Sequence, residues 1–151
     1  MSLFDKPARK FFSKAEGAQI VEAIRLAEDH TSGEIRVHLE NRCKHTDPLE
    51  RAAALFHRLK MDRTARRNGV LIYLAVKDHR FAILADEGIN VVVPEGFWQE
   101  IAAHMEAAFR EGEFLRGLVE GIALIGPKLR DFFPAEANDE NELPNEISFG
   151  E

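Results

Sequence analysis

The chain has 151 residues, of which 45% are hydrophobic and 30% charged. That suits one soluble domain with a real core and excludes disorder along the whole length. A formal charge of −6 argues against nucleic-acid binding driven by net charge, and a single cysteine, Cys43, excludes an internal disulfide or a CxxC pair.

The first residues hold no apolar run of signal-peptide length. Nowhere do about 18 apolar residues run together, as a transmembrane segment requires. The expected address is the cytoplasm, with which one unpaired cysteine agrees.

Ser13-Lys14-Ala15-Glu16 is a capping box that opens a helix, and Ile20, Ala23, Ile24 and Ala27 then share one helical face. Thr31-Ser32-Gly33 stops it. Glu34 to Glu40 alternates, with Ile35, Val37 and Leu39 on one side and Glu34, Arg36, His38 and Glu40 on the other. This predicts a strand with one face against water or a polar layer. Asp47-Pro48-Leu49-Glu50 starts a second helix with Asp as cap and Pro in the first turn. A polar, basic stretch then runs from Met61 to Gly69.

Val70 to Val76 is uninterrupted apolar sequence, as a central strand buried on both faces requires. A turn at Lys77-Asp78 predicts a hairpin with His79 to Ala85, closed by Asp86-Glu87-Gly88. Ile89 to Val93 is the expected fourth strand. Pro94 to Glu111 is helical by its stripe of Phe97, Trp98, Ile101, Met105, Ala108 and Phe109, with Gly112 as the stop. In the last helix, from Glu113, Gly117 and Gly121 lie four apart and should allow close approach to the sheet or a neighbouring helix. Gly126-Pro127 should break or kink this helix. The expected architecture is a Rossmann-like three-layer α/β/α sandwich around a small mixed sheet of about four strands.

Residues 1–12 read as an N-terminal extension, 13–134 as the domain and 135–151 as an acidic tail. The tail holds six acids and no Lys or Arg, so it carries the whole net charge. Its composition fits a solvated end. The alternative is that Leu143, Ile147 and Phe149 dock on the domain or on a partner.

Most familiar chemistries are missing. No glycine-rich dinucleotide or P-loop motif and no nucleophile elbow occurs. The six histidines sit at no zinc-type spacing and read as surface or half-buried residues. Cys43 has Lys44 and His45 beside it, but adjacency in sequence is not the geometry of an activated thiol. The loops at the strand ends are more informative. In a hairpin the start of one strand and the end of its antiparallel partner share an edge, so Asn68-Gly69 and Asp86-Glu87-Gly88 must be neighbours. Asp62, Asn68, Asp86 and Glu87 could then converge as oxygen donors, which suits calcium, or magnesium with water. Arg63, Arg66 and Arg67 in the same loop oppose a cation and favour phosphate or another anion.

Thr31-Ser32-Gly33-Glu34-Ile35, Asn68-Gly69-Val70-Leu71-Ile72 and Asp86-Glu87-Gly88-Ile89-Asn90, in this order and spacing, resemble the TPM domain family. Phe56-His57-Arg58-Leu59-Lys60-Met61 and Leu143-Pro144-Asn145-Glu146-Ile147-Ser148 resemble a small bacterial branch without a membrane anchor. The similarity covers residues 13–133 and the end of the tail. It implies an α/β/α sandwich and divalent-cation binding, chiefly calcium, at Asp62, Asn68 and the Asp86-Glu87-Gly88 turn, with Glu34 beside them. Many members read Gly-Tyr-Gly-Leu-Glu where this chain has Glu87-Gly88-Ile89-Asn90-Val91, so the Glu that follows the turn is missing here.

Three functions are therefore expected. The first is a calcium-binding TPM module with a regulatory or assembly role. The second is a metal-assisted acid phosphatase, an activity described for plant members, with Arg66 or Arg67 holding the phosphate. The third is a metal-independent interaction domain that docks a protein through the acidic tail or the Arg63–Arg67 loop.

Overall fold

The computed structural model describes residues 7–135 and 143–150. The acids Glu136, Asp139, Glu140, Glu142 and Glu151 and the first six residues lie outside the described residues. In chain order the elements are α1 (Ala8–Phe11), α2 (Lys14–Glu28), β1 (Glu34–Glu40), α3 (Pro48–Arg58), a 3₁₀ turn (Met61–Arg63), β2 (Gly69–Ala75), β3 (Arg80–Ala85), α4 (Glu87–Asn90), α5 (Phe97–Arg110), α6 (Phe114–Phe132) and β4 (Ser148–Phe149).

The sheet runs β3-β2-β1-β4. β1 and β2 are parallel, with Glu34 opposite Gly69, and α3 forms the crossover between them. β2 and β3 form the expected antiparallel hairpin, with Val70 opposite Ala85. Alternation along the strands sorts the side chains into two cores. Ile35, Val37, Leu39, Val70, Ile72 and Leu74 pack with α2, α5 and α6 on one face. Leu71, Tyr73, Ala75 and Ala82 pack with Ala52, Leu55 and Phe56 of α3 on the other. The result is the three-layer sandwich, with β2 buried throughout.

The start signals operate as expected. Ser13 and Glu16 form a complete capping box on α2, and Asp47 caps α3 at Leu49 N–H. Gly117 and Gly121 lie where a Cβ would collide with Phe109 and Met105, so at these two positions the close neighbour of α6 is α5.

Two elements differ from expectation. Ile89 to Val93 is not a strand. Asp86 caps a single helical turn at Glu87 N–H, and Asn90 donates from its side chain to Ala85 O, closing the end of β3. This local bonding overrides the β-propensity of Ile89, Val91 and Val92. The fourth strand is instead β4, which pairs in parallel with β1 through His38–Ser148 and Leu39–Phe149. The tail therefore docks, with Leu143 buried and Ile147 and Phe149 packed against the main core. The second difference is α6, which runs through Pro127. Proline removes the bond to the carbonyl four residues back, that of Ala123. Ala123, Leu124 and Pro127 are all exposed, so water can satisfy it. Among the described residues, no helix is long and apolar enough to cross a membrane.

Candidate functional site

The loops singled out in the sequence meet at the amino ends of β1 and β2 and the carboxyl end of β3. Asp86 N–H donates to Gly69 O at 2.9 Å, and Gly88 N–H donates to Arg67 O at 2.9 Å. A Cβ on Gly88 would run into the carbonyl oxygens of Arg66 and Arg67, so only glycine allows the α4 turn to lie this close to the basic loop. Arg67 has φ +52°.

Arg67 grips Asp86 with both arms of its guanidinium, Nε to Oδ2 at 2.8 Å and Nη2 to Oδ1 at 2.9 Å. Asp86 Oδ1 also accepts from Glu87 N–H, and Arg67 Nη1 lies 3.2 Å from Glu87 Oε1. Asp86 is only 6% exposed. The geometry is a bidentate, charge-assisted clamp between β3 and the loop before β2. One of the three arginines expected to contact an anion is thus engaged internally, and it neutralises one of the acids expected to bind a cation. Arg63 and Arg66 are exposed on the same loop.

Asp62 is tied to His57 at 3.0 Å, and that hydrogen bond holds its carboxyl below the ordinary value. Its other oxygen, Oδ1, is buried without a hydrogen-bond partner among the described residues. Asn68 is 1% exposed. Its N–H donates to Thr64 Oγ1, its Nδ2 to Ser32 Oγ, and its carbonyl accepts from Glu34 N–H. Asn68 Oδ1 is buried without a partner among the described residues. Glu34 is buried, and its Oε1 accepts Leu143 N–H at 2.6 Å, so the tail reaches this edge too. Among the described residues, no three His, Cys, Asp or Glu side chains gather as a metal-holding group. The loops bring acids, an amide and main-chain carbonyls together, but not a cage of carboxylates.

Sequence reading missed Glu28 at the end of α2. Its carboxylate accepts Ile35 N–H at 2.8 Å. Burial pushes its pKa up to about 7 against that hydrogen bond, with the charge of Glu34 adding to the rise. A second missed group lies at the opposite end of the sheet, where β1 ends. Glu40, fully buried, takes Arg51 Nε at 2.9 Å, Arg51 Nη2 at 2.7 Å and the Tyr73 hydroxyl at 2.5 Å. Burial works to raise this carboxyl, but the hydrogen bonds from Arg51 and Tyr73 outweigh it and hold it below the ordinary value. His38, also buried, lies beside this network and bonds Ser148 Oγ through Nδ1 at 2.7 Å. Desolvation lowers its pKa to about 4. The signal was the polar face of β1, which meets Arg51 of α3 at Glu40 and the returning tail at Glu34 and His38.

Glu28 and His38 make opposite pH demands. The folded state retains the Glu28 proton between pH 4.5 and about 7, so this residue makes stability fall as pH rises through that window. The folded state refuses the His38 proton between about 4 and 6.5, so this residue makes stability rise with pH there. Glu28→Gln should leave the His38 slope unopposed. Urea midpoints at intervals between pH 4.5 and 7.5 should then climb more steeply with pH than in the parent protein. Parallel profiles would show that Glu28 titrates normally.

The family model for the TPM domain matches residues 7–127. Among solved structures, the BA42 protein of the psychrophilic bacterium Bizionia argentinensis is 48% identical, with a TM-score of 0.85 over 93% of this chain and 96% of that one. The N-terminal domain of a P. gingivalis protein is 19% identical, with a TM-score of 0.68 over 83% of this chain and 82% of that one. The N-terminal domain of the cg2496 protein of Corynebacterium glutamicum is 10% identical, with a TM-score of 0.65 over 88% and 84%. These last two likenesses are of fold alone. No curated protein matches the chain.

Proposed function

This chain belongs to the TPM domain family, and on that premise we propose that it is a divalent-cation binding module with a regulatory or assembly role, calcium being the preferred ion. The carrying observation is Asn68 Oδ1, a buried acceptor without a partner among the described residues, at the strand ends beside Glu34. A buried unsatisfied oxygen is costly unless something meets it. Asp62 Oδ1 is a second such atom in the same loop.

The donor set is oxygen only, which fits calcium, or magnesium with water, rather than zinc. Asp62, Asn68 and Glu34 are the residues that would hold the ion. Asp86 and Glu87 join them only if Arg67 releases its clamp, with Gly88 keeping the α4 turn close enough to follow. Bound there, a divalent cation would supply the charge that ties the loops together and favours the folded state. The regulatory part of the proposal is this exchange, with Arg67 holding Asp86 in the metal-free protein. The docked tail, whose Leu143 bonds Glu34, is the element through which a protein partner would register the change. A cytoplasmic setting belongs to the same reading.

Titration of metal-stripped protein with calcium should raise Tm and move amide resonances within Arg63–Gly69 and Ala85–Val91. Asp62→Asn combined with Asn68→Ala should abolish both effects. Arg67→Gln should lower the calcium Kd several-fold, because it removes a competing cation from Asp86. An unchanged Tm and unmoved amides at millimolar calcium would remove the proposal. An unchanged Kd in Arg67→Gln would remove the exchange and leave a simpler site.

A further inference from the structure

We propose that the free edge of β3 is a docking site for an extended peptide strand of a partner protein, bound by main-chain pairing in a cleft between α3 and α5. Among the described residues, β3 is the outer strand of the sheet. The hydrogen bond from Asp86 N–H to Gly69 O fixes the parity of the ladder. Gly69 and Asp86 form a hydrogen-bonded pair, so Leu71–Leu84, Tyr73–Ala82 and Ala75–Arg80 do as well. Phe81 and Ile83 therefore turn their N–H and C=O groups away from β2. Ala85 does so too, but its carbonyl is already taken by the Asn90 side chain. The open stretch is thus short and defined at one end.

A cleft of about 270 Å³ lies along this stretch. Pro48 and Leu49 line it from the α3 layer, Trp98 and Ala102 from the α5 layer, and Phe81 and Ile83 form its floor. Its walls are braced. Arg80 donates to the carbonyl oxygens of His45 and Thr46 in the loop leading into α3. Trp98 Nε1 donates to Asn90 Oδ1 at 2.9 Å.

An exposed strand edge with an apolar surround is a template for strand addition. The chemistry selects the occupant. Only a polypeptide main chain offers alternating donors and acceptors at the spacing of Phe81 and Ile83. The lining selects a strand with apolar side chains at alternate positions, which would lie on the α5 face against Trp98 and Ala102. The cleft also favours a lone strand over a second folded copy. A copy would bring its own α3 and α5 beside its β3. Each of those helices is about 10–12 Å across, whereas a lone strand needs only the strand spacing of about 4.8 Å. This inference is independent of the cation site, and calcium-free protein tests it.

The probe is a panel of synthetic hexapeptides with Val, Ile or Phe at alternate positions and Thr or Lys between them. At millimolar peptide, amide shifts should be confined to Phe81–Ile83, Leu49 and Trp98–Ala102, and exchange at the Phe81 and Ile83 amides should slow. N-methylation of the peptide along its bonding edge should weaken binding at least about tenfold. Ile83→Pro removes an N–H that the β2 ladder does not use, so it should abolish binding while the hairpin stays paired. Leu49→Glu, at the exposed rim and outside both cores, should weaken binding even if Ile83→Pro fails to fold. The proposal is overturned if no peptide of the panel moves these amides, or if N-methylated peptides bind equally well. It is also overturned if the peptide-free protein self-associates with slowing of the same two amides, which would make a second copy the occupant.

Discussion

Arg51→Met should destabilise the protein by about 3–5 kcal/mol, a larger loss than any surface substitution should produce. The Arg51 guanidinium grips both oxygens of Glu40 in a fully buried setting. Removing it strands a buried carboxylate that keeps, among the described residues, only the Tyr73 hydroxyl as a donor. A buried ion pair is expensive to break from one side and far cheaper to replace as a whole. The triple variant Glu40→Leu, Arg51→Met, Tyr73→Phe should therefore recover most of the loss, since no charge or hydroxyl is left unpaired. Urea denaturation of the single and triple variants decides the matter. A single-variant loss below about 1 kcal/mol would mean that the Glu40 pair is solvated in solution.

Deleting residues 143–151 should cost about 3–5 kcal/mol and lower Tm by roughly 10 °C. The deletion exposes the surface under Leu143, which is 8% exposed, and that burial alone is worth about 1.5–3 kcal/mol. Ile147 and Phe149 add partial burial against the main core, and Arg9 loses the ring of Phe149, 5.0 Å away. Polar groups suffer as well. Glu34 Oε1 loses Leu143 N–H, His38 loses Ser148, and Leu39 O loses Gly150 N–H at 2.8 Å. A deletion variant that melts within 1–2 °C of the full chain, corresponding to less than about 1 kcal/mol, would show that β4 contributes nothing in solution.

Much of the fold was legible because it rests on local signals that tertiary packing did not contradict. The Ser13–Glu16 capping box, the Asp47-Pro48 start, the apolar run of β2 and the alternation of β1 each set an element by short-range chemistry. The hairpin then places Asn68-Gly69 against Asp86-Glu87-Gly88, because antiparallel pairing leaves no other arrangement. The failures have the opposite character. Ile89 to Val93 has strand composition, but Asp86 and Asn90 use their side chains on neighbouring backbone and wind the start of this segment into a turn. Pro127 looks like a breaker, yet a wet carbonyl costs little, and the helix continues.

The candidate site was legible in its members but not in its wiring. Spacing brought Asp62, Asn68 and Asp86 into one region, and it flagged the arginines as an opposing charge. It could not say that Arg67 would bind Asp86 itself, nor that Glu28 would accept the Ile35 N–H at the start of β1 with a raised pKa. Such pairings depend on a few ångströms of side-chain reach between segments far apart in sequence.

By itself, the sequence determined the layer order of helices and strands, the faces of β1 and β2, and the meeting of two loops at one sheet edge. These follow from periodicities of 2 and 3.6 and from turn residues, all of them properties of contiguous segments. Tertiary structure alone decided the parallel return of residues 148–149 beside β1, the burial of Glu40 with Arg51, and which strand edge stayed open. Each depends on contacts between residues distant in the chain, whose free energy arises only when the packed core excludes water from both partners at once.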